Sequence, residues 1–255
     1  MAFEQLLAEY EERRARALAM GGAEKLAKRK AAGQWNARER LAYLADKDSF
    51  IESGLLGTSG VYPEQAGETP ADGKIAGYAK IDGRDVAVVV NDFTVKGAST
   101  SLTNSKKVGH MKRTATERGM PLVIIGESTG ARLPDAMGSR GMGLLLGNDN
   151  TQFRRTRETP LAVAVMNASF GSSAWLACCA DFAVMLKGST MAVSSPRLTE
   201  MALGEKVDFE ELGGWRMHAE ITGLVDQVAD TEAEVFDAIK KFLSYLPSHN
   251  NEAPP

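Results

Sequence analysis

Apolar and polar residues alternate along residues 74–81, and a largely apolar segment, residues 84–92, follows the two-residue link Asp82-Gly83. Alternation interrupted by an Asp-Gly link predicts a β-hairpin with a primed turn. Residues 86–90 are apolar at consecutive positions, which indicates a strand buried on both faces. This hairpin is the clearest local prediction along the chain.

Strand and helix patterns alternate after the hairpin. A helix is predicted around residues 104–118, ended by Gly119. Further segments follow it as strand 122–125, helix 142–156, strand 161–166, helix 172–180 and strand 182–185. Alternation of this kind predicts an α/β layered domain with parallel strands.

Helical patterns dominate both ends of the chain. Residues 3–32 are rich in Ala, Glu, Lys, Arg and Leu and predict one or two amphipathic helices, with a break near Gly21-Gly22. Asn36 and the Glu39 that follows it predict a capped helix over residues 37–45, before a strand start at 49–52 and a long loop to residue 72. Residues 232–246 form a further amphipathic pattern that Pro247 should end.

Two turns rich in small residues follow apolar strands. Residues 121–125 lead into a turn that contains Gly130 and Ala131, and residues 161–166 lead into a small-residue turn, 167–174, that contains Gly171 and Ser172. A glycine without Cβ lets a ligand approach the main chain. Taken singly, either turn could be a plain loop or a tight packing contact. Together they predict an oxyanion site for an acyl group, built from the N–H of Gly130 or Ala131 and that of Gly171 or Ser172.

Composition narrows the range of functions. A hydrophobic content of 44% and a charged content of 25% are typical of a soluble globular protein. The net charge of −3 gives no footprint for binding nucleic acid. No apolar run has the length of a membrane span, and no His, Cys or carboxylate set has metal-ligand spacing.

The cysteines and the start of the chain bear on location. The adjacent Cys178 and Cys179 offer no disulfide framework and are expected to pack in the core. The chain starts without a charged-then-apolar signal pattern. These features predict a cytoplasmic protein.

Several segments, in order, resemble the carboxyltransferase β subunits of acyl-CoA carboxylases. They are NARERL (36–41) with DSF (48–50), DGKIAGY (72–78) through NDFTV (91–95), KGAS (96–99), GAR (130–132), EELGG (210–214) and FLSYLP (242–247). The resemblance spans roughly residues 30–250. It implies a crotonase-like α/β fold of stacked ββα units with N-terminal helices. On this basis the chain divides into a helical segment, 1–32, a carboxyltransferase domain, 33–250, and a tail, 251–255.

The resemblance also implies a reaction and its participants. A carboxyl group would pass from carboxybiotin, held by a separate carrier protein or domain, to the α-carbon of an acyl-CoA. The released biotin would take the α-proton, so no side-chain base is required. Family members usually carry two homologous domains, the first for acyl-CoA and the second for biotin, and assemble through trimers. This chain matches the first domain, so a second half is expected on another chain, unless the sequence is truncated.

The resemblance assigns candidate residues for coenzyme A. The turn Gly97-Ala98-Ser99 matches the family's turn. Lys106 and Lys107 could pair with the CoA phosphates or form a solvated helix face, and Arg132 could bind phosphate or brace its own turn by a buried salt bridge. The family has glycine where this chain has Ser172, a change that would narrow the pocket.

Two other functions remain open on sequence alone. A biotin-independent malonyl- or methylmalonyl-CoA decarboxylase would use the same turns, and a non-catalytic subunit would only bind CoA esters. A hydratase would need two carboxylates, and Glu127 has no evident partner in the sequence.

Overall fold

The computed structural model describes residues 2–60, 67–137, 141 and 159–255; the helix predicted over residues 142–156 lies outside them. The strands are β1 (Ile51–Glu52), β2 (Lys74–Ile81), β3 (Arg84–Asn91), β4 (Leu122–Thr129), β5 (Leu161–Phe170), β6 (Phe182–Leu186), β7 (Thr190–Ala192) and β8 (Gln227–Ala229). The helices are α1 (Ala2–Leu18), α2 (Ala23–Ala31), α3 (Ala37–Leu44), α4 (Leu102–Arg118), α5 (Leu133–Ala136), α6 (Ser172–Cys178), α7 (Pro196–Leu203), α8 (Phe209–Gly213) and α9 (Glu232–Ser244), with 3₁₀ turns at Pro70–Gly73 and Lys96–Ala98 and a π-helical turn at Met217–Thr222.

The described strands form one sheet with the order β1-β2-β3-β4-β5-β6-β8, and β7 pairs with the end of β5. β2 pairs antiparallel with both β1 and β3, as the predicted hairpin requires for β2 and β3. From β3 onward the pairings are parallel. The predicted α/β architecture with parallel strands is therefore confirmed.

Both faces of the sheet are covered. Val86, Val88 and Val90 pack in one core with residues of α3 and α9, such as Phe236. Ala87 and Val89 pack in the other core with residues of α4 and α6. All five residues of the segment 86–90 are fully buried, so the prediction of a strand buried on both faces is confirmed.

Local signals in the sequence explain several element boundaries. Asn36 and Glu39 form the predicted capping box at the start of α3. Asp82 and Gly83 both have positive φ, as a primed hairpin turn requires. Gly119 ends α4 in the left-handed conformation.

The two central strands are longer than predicted. β4 continues to Thr129 and β5 continues to Phe170, so the segment 167–170, expected to be part of a turn, is strand. The pairing of β4 with β5 shifts register beyond Gly126, and Asn167 has φ +44° within the irregularity. The strand resumes because residues 168–170 pair with β7, a short strand that the sequence pattern did not predict.

The N-terminal helices differ in how they join the sheet. α1 is almost entirely exposed, whereas Arg29 of α2 is buried and forms an ion pair with Glu127 of β4. The Gly21 N–H donates to Thr94 Oγ1 at 3.0 Å. The division at residue 32 stays a prediction, and contacts between α2 and the sheet cross it.

Within the described ranges, no helix has the length and apolar character needed to cross a membrane.

Candidate functional site

The two turns predicted from the sequence lie against each other. Gly171 has φ +63°, and a Cβ built there would lie 3.2 Å from Gly130 Cα and 3.9 Å from the Ala131 nitrogen. Gly130 has φ +98°. Both positions therefore use conformations that favour glycine, and the contact at Gly171 leaves little room for a side chain.

Hydrogen bonds within the fold show which of the four candidate backbone N–H donors are already occupied. The Gly130 N–H donates to Ser128 Oγ at 3.1 Å. The Gly171 N–H donates to the Ala192 carbonyl at 3.2 Å, on strand β7. These two N–H groups are occupied by the fold itself.

The N–H groups of the next residue in each turn are available. Among the described residues, neither the Ala131 N–H nor the Ser172 N–H donates a hydrogen bond. Ala131 is exposed and Ser172 is partly exposed, so solvent or a ligand can reach both. The geometry favours Ala131 and Ser172 as the donor pair, while direct ligand contact by any of the four residues stays a prediction.

A third segment ties the two turns together. Thr100 donates its N–H to the Gly130 carbonyl and accepts from the Arg132 N–H, each at 2.8 Å, which fixes Ala131 between them. Its hydroxyl lies 2.7 Å from Ser172 Oγ. The Ser172 side chain is thus held on the first turn's side of the site.

Arg132 braces its own turn. Its Nη1 lies 2.6 Å from Asp72 Oδ1, and its other nitrogens donate to the hydroxyl and carbonyl of Ser99 at 3.2 Å. Both Arg132 and Asp72 are buried. Of the two predicted roles of Arg132, the structure favours bracing, because all three guanidinium nitrogens form hydrogen bonds within the fold.

The turn 96–99 is a compact left-handed loop. Lys96, Gly97 and Ala98 all have positive φ, and a Cβ at Gly97 would lie 2.6 Å from Thr129 Cγ2. Ala98 and Ser99 are buried. Their predicted role in cofactor binding is untested. Because both residues are buried, their side chains lie beneath the site and not on its surface.

Lys106 and Lys107 line a cleft of about 410 Å³ between β2 and α4, together with His110. Lys106 is exposed. The Lys107 ammonium donates to the carbonyls of Ala71, at 2.8 Å, and Lys74, and burial lowers the pKa of Lys107 to about 8. Lys106 is therefore the freer of the two predicted phosphate ligands.

Glu127 is the carboxylate nearest to the first turn in sequence, and it is fully engaged. Arg29 forms a two-pronged contact with it at 2.9 and 2.6 Å, and Arg40 binds one of the same oxygens. Asn167 donates to its other oxygen at 3.0 Å. The sequence did not reveal these partners, because they come from residues 40 to 98 positions away. Both oxygens of Glu127 are thus occupied by side-chain donors from α2, α3 and β5.

The prediction that the two cysteines pack in the core is wrong. Cys178 and Cys179 are both exposed; Cys178 is the last residue of the short helix α6, and Cys179 is its C-cap. Partial desolvation and the neighbouring thiol raise the pKa of Cys178, which keeps it in the less reactive thiol form. The described residues contain no group of three or more potential metal ligands.

Comparison with known proteins identifies the family. The model of the carboxyl transferase domain family matches residues 28–255. The chain belongs to this family. Its resemblance to acyl-CoA carboxylase carboxyltransferase subunits is thereby confirmed.

Individual relatives support the assignment. The chain is 33% identical over 262 residues to a propionyl-CoA carboxylase carboxyltransferase subunit of Haloferax mediterranei, covering 100% of this chain and 50% of that protein. It is 32% identical over 250 residues to the methylmalonyl-CoA decarboxylase subunit alpha of Veillonella parvula, covering 96% of this chain and 48% of that protein. The chain spans about half the length of the curated relatives it matches.

Solved structures confirm the fold class. Transcarboxylase 12S, a hexamer solved with methylmalonyl-CoA bound, matches with a TM-score of 0.86 and 30% identity, over 99% of this chain and 49% of that one. A Pseudomonas malonate decarboxylase hetero-tetramer matches with a TM-score of 0.70 at 18% identity, over 82% of this chain and 81% of that one, a likeness of fold alone. The crotonase-like α/β class is therefore confirmed. The described strands of this chain form one sheet.

Proposed function

We propose that this chain is the acyl-CoA-binding half of a biotin-dependent carboxyltransferase. The observation that carries the proposal is the pair of available N–H groups, of Ala131 and Ser172, on two turns that Gly171 brings into contact. The family membership and the likeness to a structure solved with methylmalonyl-CoA support an acyl-CoA thioester as the ligand.

The two N–H groups act on the thioester oxygen. When the bond between the α-carbon and its hydrogen breaks, negative charge collects on that oxygen, and an enolate forms. Each donor held at hydrogen-bond distance lowers the barrier by about 3–4 kcal/mol. The α-carbon would then form a bond to the transferred carboxyl carbon while the bond between that carbon and a biotin nitrogen breaks. Biotin on its carrier would supply the activated carboxyl group and accept the α-proton.

Two described side chains that could act as a base, Glu127 and His218, are occupied by other groups. Glu127 is clamped by two arginines. His218 is buried, with one ring nitrogen 2.7 Å from the Met191 carbonyl and the other 3.1 Å from Thr222 Oγ1. This occupancy favours chemistry carried by the main chain.

Coenzyme A would lie along the same face of the sheet. Lys106 and Lys107 line a cleft beside α4, the helix that begins just after Thr100. An ammonium group pairs with phosphate as a point charge. The turn Gly97-Ala98-Ser99 would support the thioester end through its position under Thr129.

Partners are proposed from the relatives. The matched proteins are about twice as long, so a second carboxyltransferase half would complete the site, as a continuation of this polypeptide or as a separate subunit. A biotin carboxyl carrier protein would deliver biotin. The hexamer named for transcarboxylase 12S favours an oligomer built on trimers. A cytoplasmic location stays a prediction.

Native isolation with an activity assay tests the proposal. The tagged chain would be purified from its own cells, its companions identified by mass, and the complex supplied with acetyl-, propionyl- and longer acyl-CoA, ATP, bicarbonate and Mg²⁺. We expect a biotinylated carrier in the complex and formation of a carboxylated acyl-CoA. An intact complex without biotin, and without transfer to any acyl-CoA supplied, would overturn the proposal.

A second candidate is the decarboxylation of a malonyl-type CoA ester. It is favoured by the relative named methylmalonyl-CoA decarboxylase subunit alpha. The same N–H pair would stabilise the enolate that loss of CO₂ leaves behind. Steady CO₂ release from malonyl- or methylmalonyl-CoA by a complex free of biotin would favour this candidate.

A further inference from the structure

Lys74 is a buried cation beneath the two turns and has no place in the chemistry described so far. It is the first residue of β2 and is 4% exposed. Its ammonium donates to Asn91 Oδ1 at 2.9 Å and to the Ala98 carbonyl at 3.3 Å. Within the part of the chain that the structure describes, no carboxylate forms an ion pair with it. Lys74 is thus held by two neutral acceptors.

The first acceptor leads to the Gly130 turn. The Ala98 carbonyl also accepts from Ser128 Oγ at 3.2 Å. Ser128 Oγ in turn accepts from the Gly130 N–H at 3.1 Å. This path of hydrogen bonds ends one residue before Ala131.

The second acceptor leads to the Gly171 turn. The amide nitrogen of Asn91 donates to Ser173 Oγ at 3.1 Å, and both residues are buried. Ser173 directly follows Ser172. Hydrogen bonds therefore connect one ammonium group to both turns. Each path ends at a residue next to one of the two available N–H groups.

Packing alone does not explain a lysine at this position. The pKa of Lys74 is lowered to about 7: burial is the main cause, the charges of Arg132 and Lys107 also lower it, and Asp72 opposes them. A buried charge without an ionic partner destabilises the folded state, and an apolar side chain of similar length would fill the same space. What an apolar side chain cannot supply is a donor to both acceptors, and a charged ammonium donates more strongly than a neutral amine.

We infer that Lys74 is a positioning residue, whose ammonium fixes the two turns at the spacing that lets Ala131 and Ser172 donate to one oxygen. The inference rests on the proposed function, since it concerns the enolate oxygen of that reaction. Lys74 acts through the turns and does not touch the substrate.

The test compares Lys74→Met with Lys80→Met in the native complex. Methionine keeps the unbranched length of lysine and removes its donors. Lys80 lies on the same strand but is exposed and pairs with Asp85, so its substitution controls for loss of charge on β2. The measurements are kcat and KM for the acyl-CoA that the unaltered complex carboxylates, and the thermal unfolding midpoint.

We expect Lys74→Met to lower kcat by about 10²-fold, the effect of displacing a reacting group by about 1 Å. KM for acyl-CoA should stay within about threefold, because the oxyanion donors act mainly on the transition state. Lys80→Met should behave as the unaltered protein. A folded Lys74→Met complex with unchanged kcat, or one that loses kcat only in proportion to unfolded protein, would overturn the inference.

A pH profile decides the matter if Lys74→Met does not fold. In the unaltered complex, kcat should fall as pH rises through the pKa of Lys74, about 7, because the neutral amine donates weaker hydrogen bonds than the ammonium. Asp72, Arg132 and Lys107 are the charged groups that face it. A profile that stays flat from about pH 6 to about pH 10.5 would overturn the inference, because this range includes both the lowered and the ordinary pKa of a lysine. If the unaltered complex transfers no carboxyl group at all, the proposed function fails and the inference falls with it.

Discussion

The hydroxyl groups of Thr100 and Ser172 lie 2.7 Å apart, across the junction of the two turns. Thr100 is already fixed by backbone hydrogen bonds to Gly130 and Arg132. The Ser172 side chain is therefore held in place by the first turn, next to its own available N–H. The resemblance implies glycine at this position, and the serine side chain fills space that a glycine would leave open.

Replacing Ser172 with glycine should widen the acyl pocket. The N–H that we assign to the oxyanion site is kept, so carboxylation of the native acyl-CoA should persist. We compare kcat/KM for an acyl chain one methylene longer than the native one with kcat/KM for the native acyl chain. The ratio of the first to the second should rise by about tenfold, the usual effect of one methylene in an apolar pocket. Steady-state kinetics with a series of acyl-CoAs measures this ratio. Thr100→Ser keeps the hydroxyl and serves as control, and an unchanged ratio in Ser172→Gly would contradict the prediction.

Gly171→Ala should abolish most of the activity. The new Cβ would lie 3.2 Å from Gly130 Cα, on a residue whose φ is +63°. The two turns must move apart, and loss of one aligned oxyanion donor lowers kcat by about 10²–10³-fold. Gly188→Ala is the matched control, because Gly188 has φ +79° with no atom within 4 Å of the new Cβ. Equal losses of kcat in the two variants would show that backbone strain, rather than the contact between the turns, is responsible.

Glu127→Gln should lower the free energy of unfolding more than it affects the rate of any catalytic step. The substitution leaves Arg29 and Arg40 buried without a full counter-charge, and breaking a buried ion pair costs about 3–5 kcal/mol. Urea unfolding measures the change in free energy. Asp85→Asn, which breaks the exposed pair with Lys80, should change stability by less than about 1 kcal/mol. A Glu127→Gln protein of normal stability that has lost kcat would instead indicate that Glu127 is a catalytic base.

Lys106→Glu should weaken binding of the CoA moiety. Lys106 is exposed and lines the cleft beside α4, so reversing its charge puts a carboxylate near the proposed position of the CoA phosphates. KM for acyl-CoA should rise by about tenfold, with kcat unchanged, and the increase should shrink at high salt because salt screens exposed charges. Lys80→Glu, on the exposed part of β2, should leave KM unchanged. A KM for Lys106→Glu equal to that of the unaltered protein would assign Lys106 to a solvated helix face.

Much of the fold could be predicted from short-range patterns. The hairpin through Asp82-Gly83, the capping box at Asn36 and the stop at Gly119 depend on residues a few positions apart, whose backbone preferences act locally. The two turns around Gly130 and Gly171 could be found for the same reason. Their contact, though, is a product of the sheet, because β4 and β5 are neighbours and carry the turns to the same edge.

Long-range partners account for what the sequence pattern missed. Residues 167–170 have the small polar character of a turn, yet they form strand because β7 pairs with them. The clamp on Glu127 and the hydrogen-bond paths from Lys74 join residues from separate helices and strands. No periodicity in the sequence marks such pairs, and the apolar run around Cys178 and Cys179 gave no sign that α6 ends at the surface.

The buried ammonium of Lys74 should make stability depend on pH in a defined direction. Burial lowers the pKa of Lys74 from 10.5 to about 7 in the folded chain. Between these two values the unfolded chain binds more protons than the folded one, so this residue's contribution to the free energy of unfolding rises as pH increases. Lys107 acts in the same direction, with a pKa lowered to about 8, but it is present in both proteins when Lys74→Met is compared with the unaltered chain. Urea unfolding of both at about pH 6.5 and about pH 9.5 should therefore show that the unaltered protein gains stability relative to Lys74→Met at the higher pH. A difference between the two proteins that stays constant over this range would mean that Lys74 keeps an ordinary pKa in the fold, and that the surroundings of its ammonium are more polar than the two neutral acceptors provide.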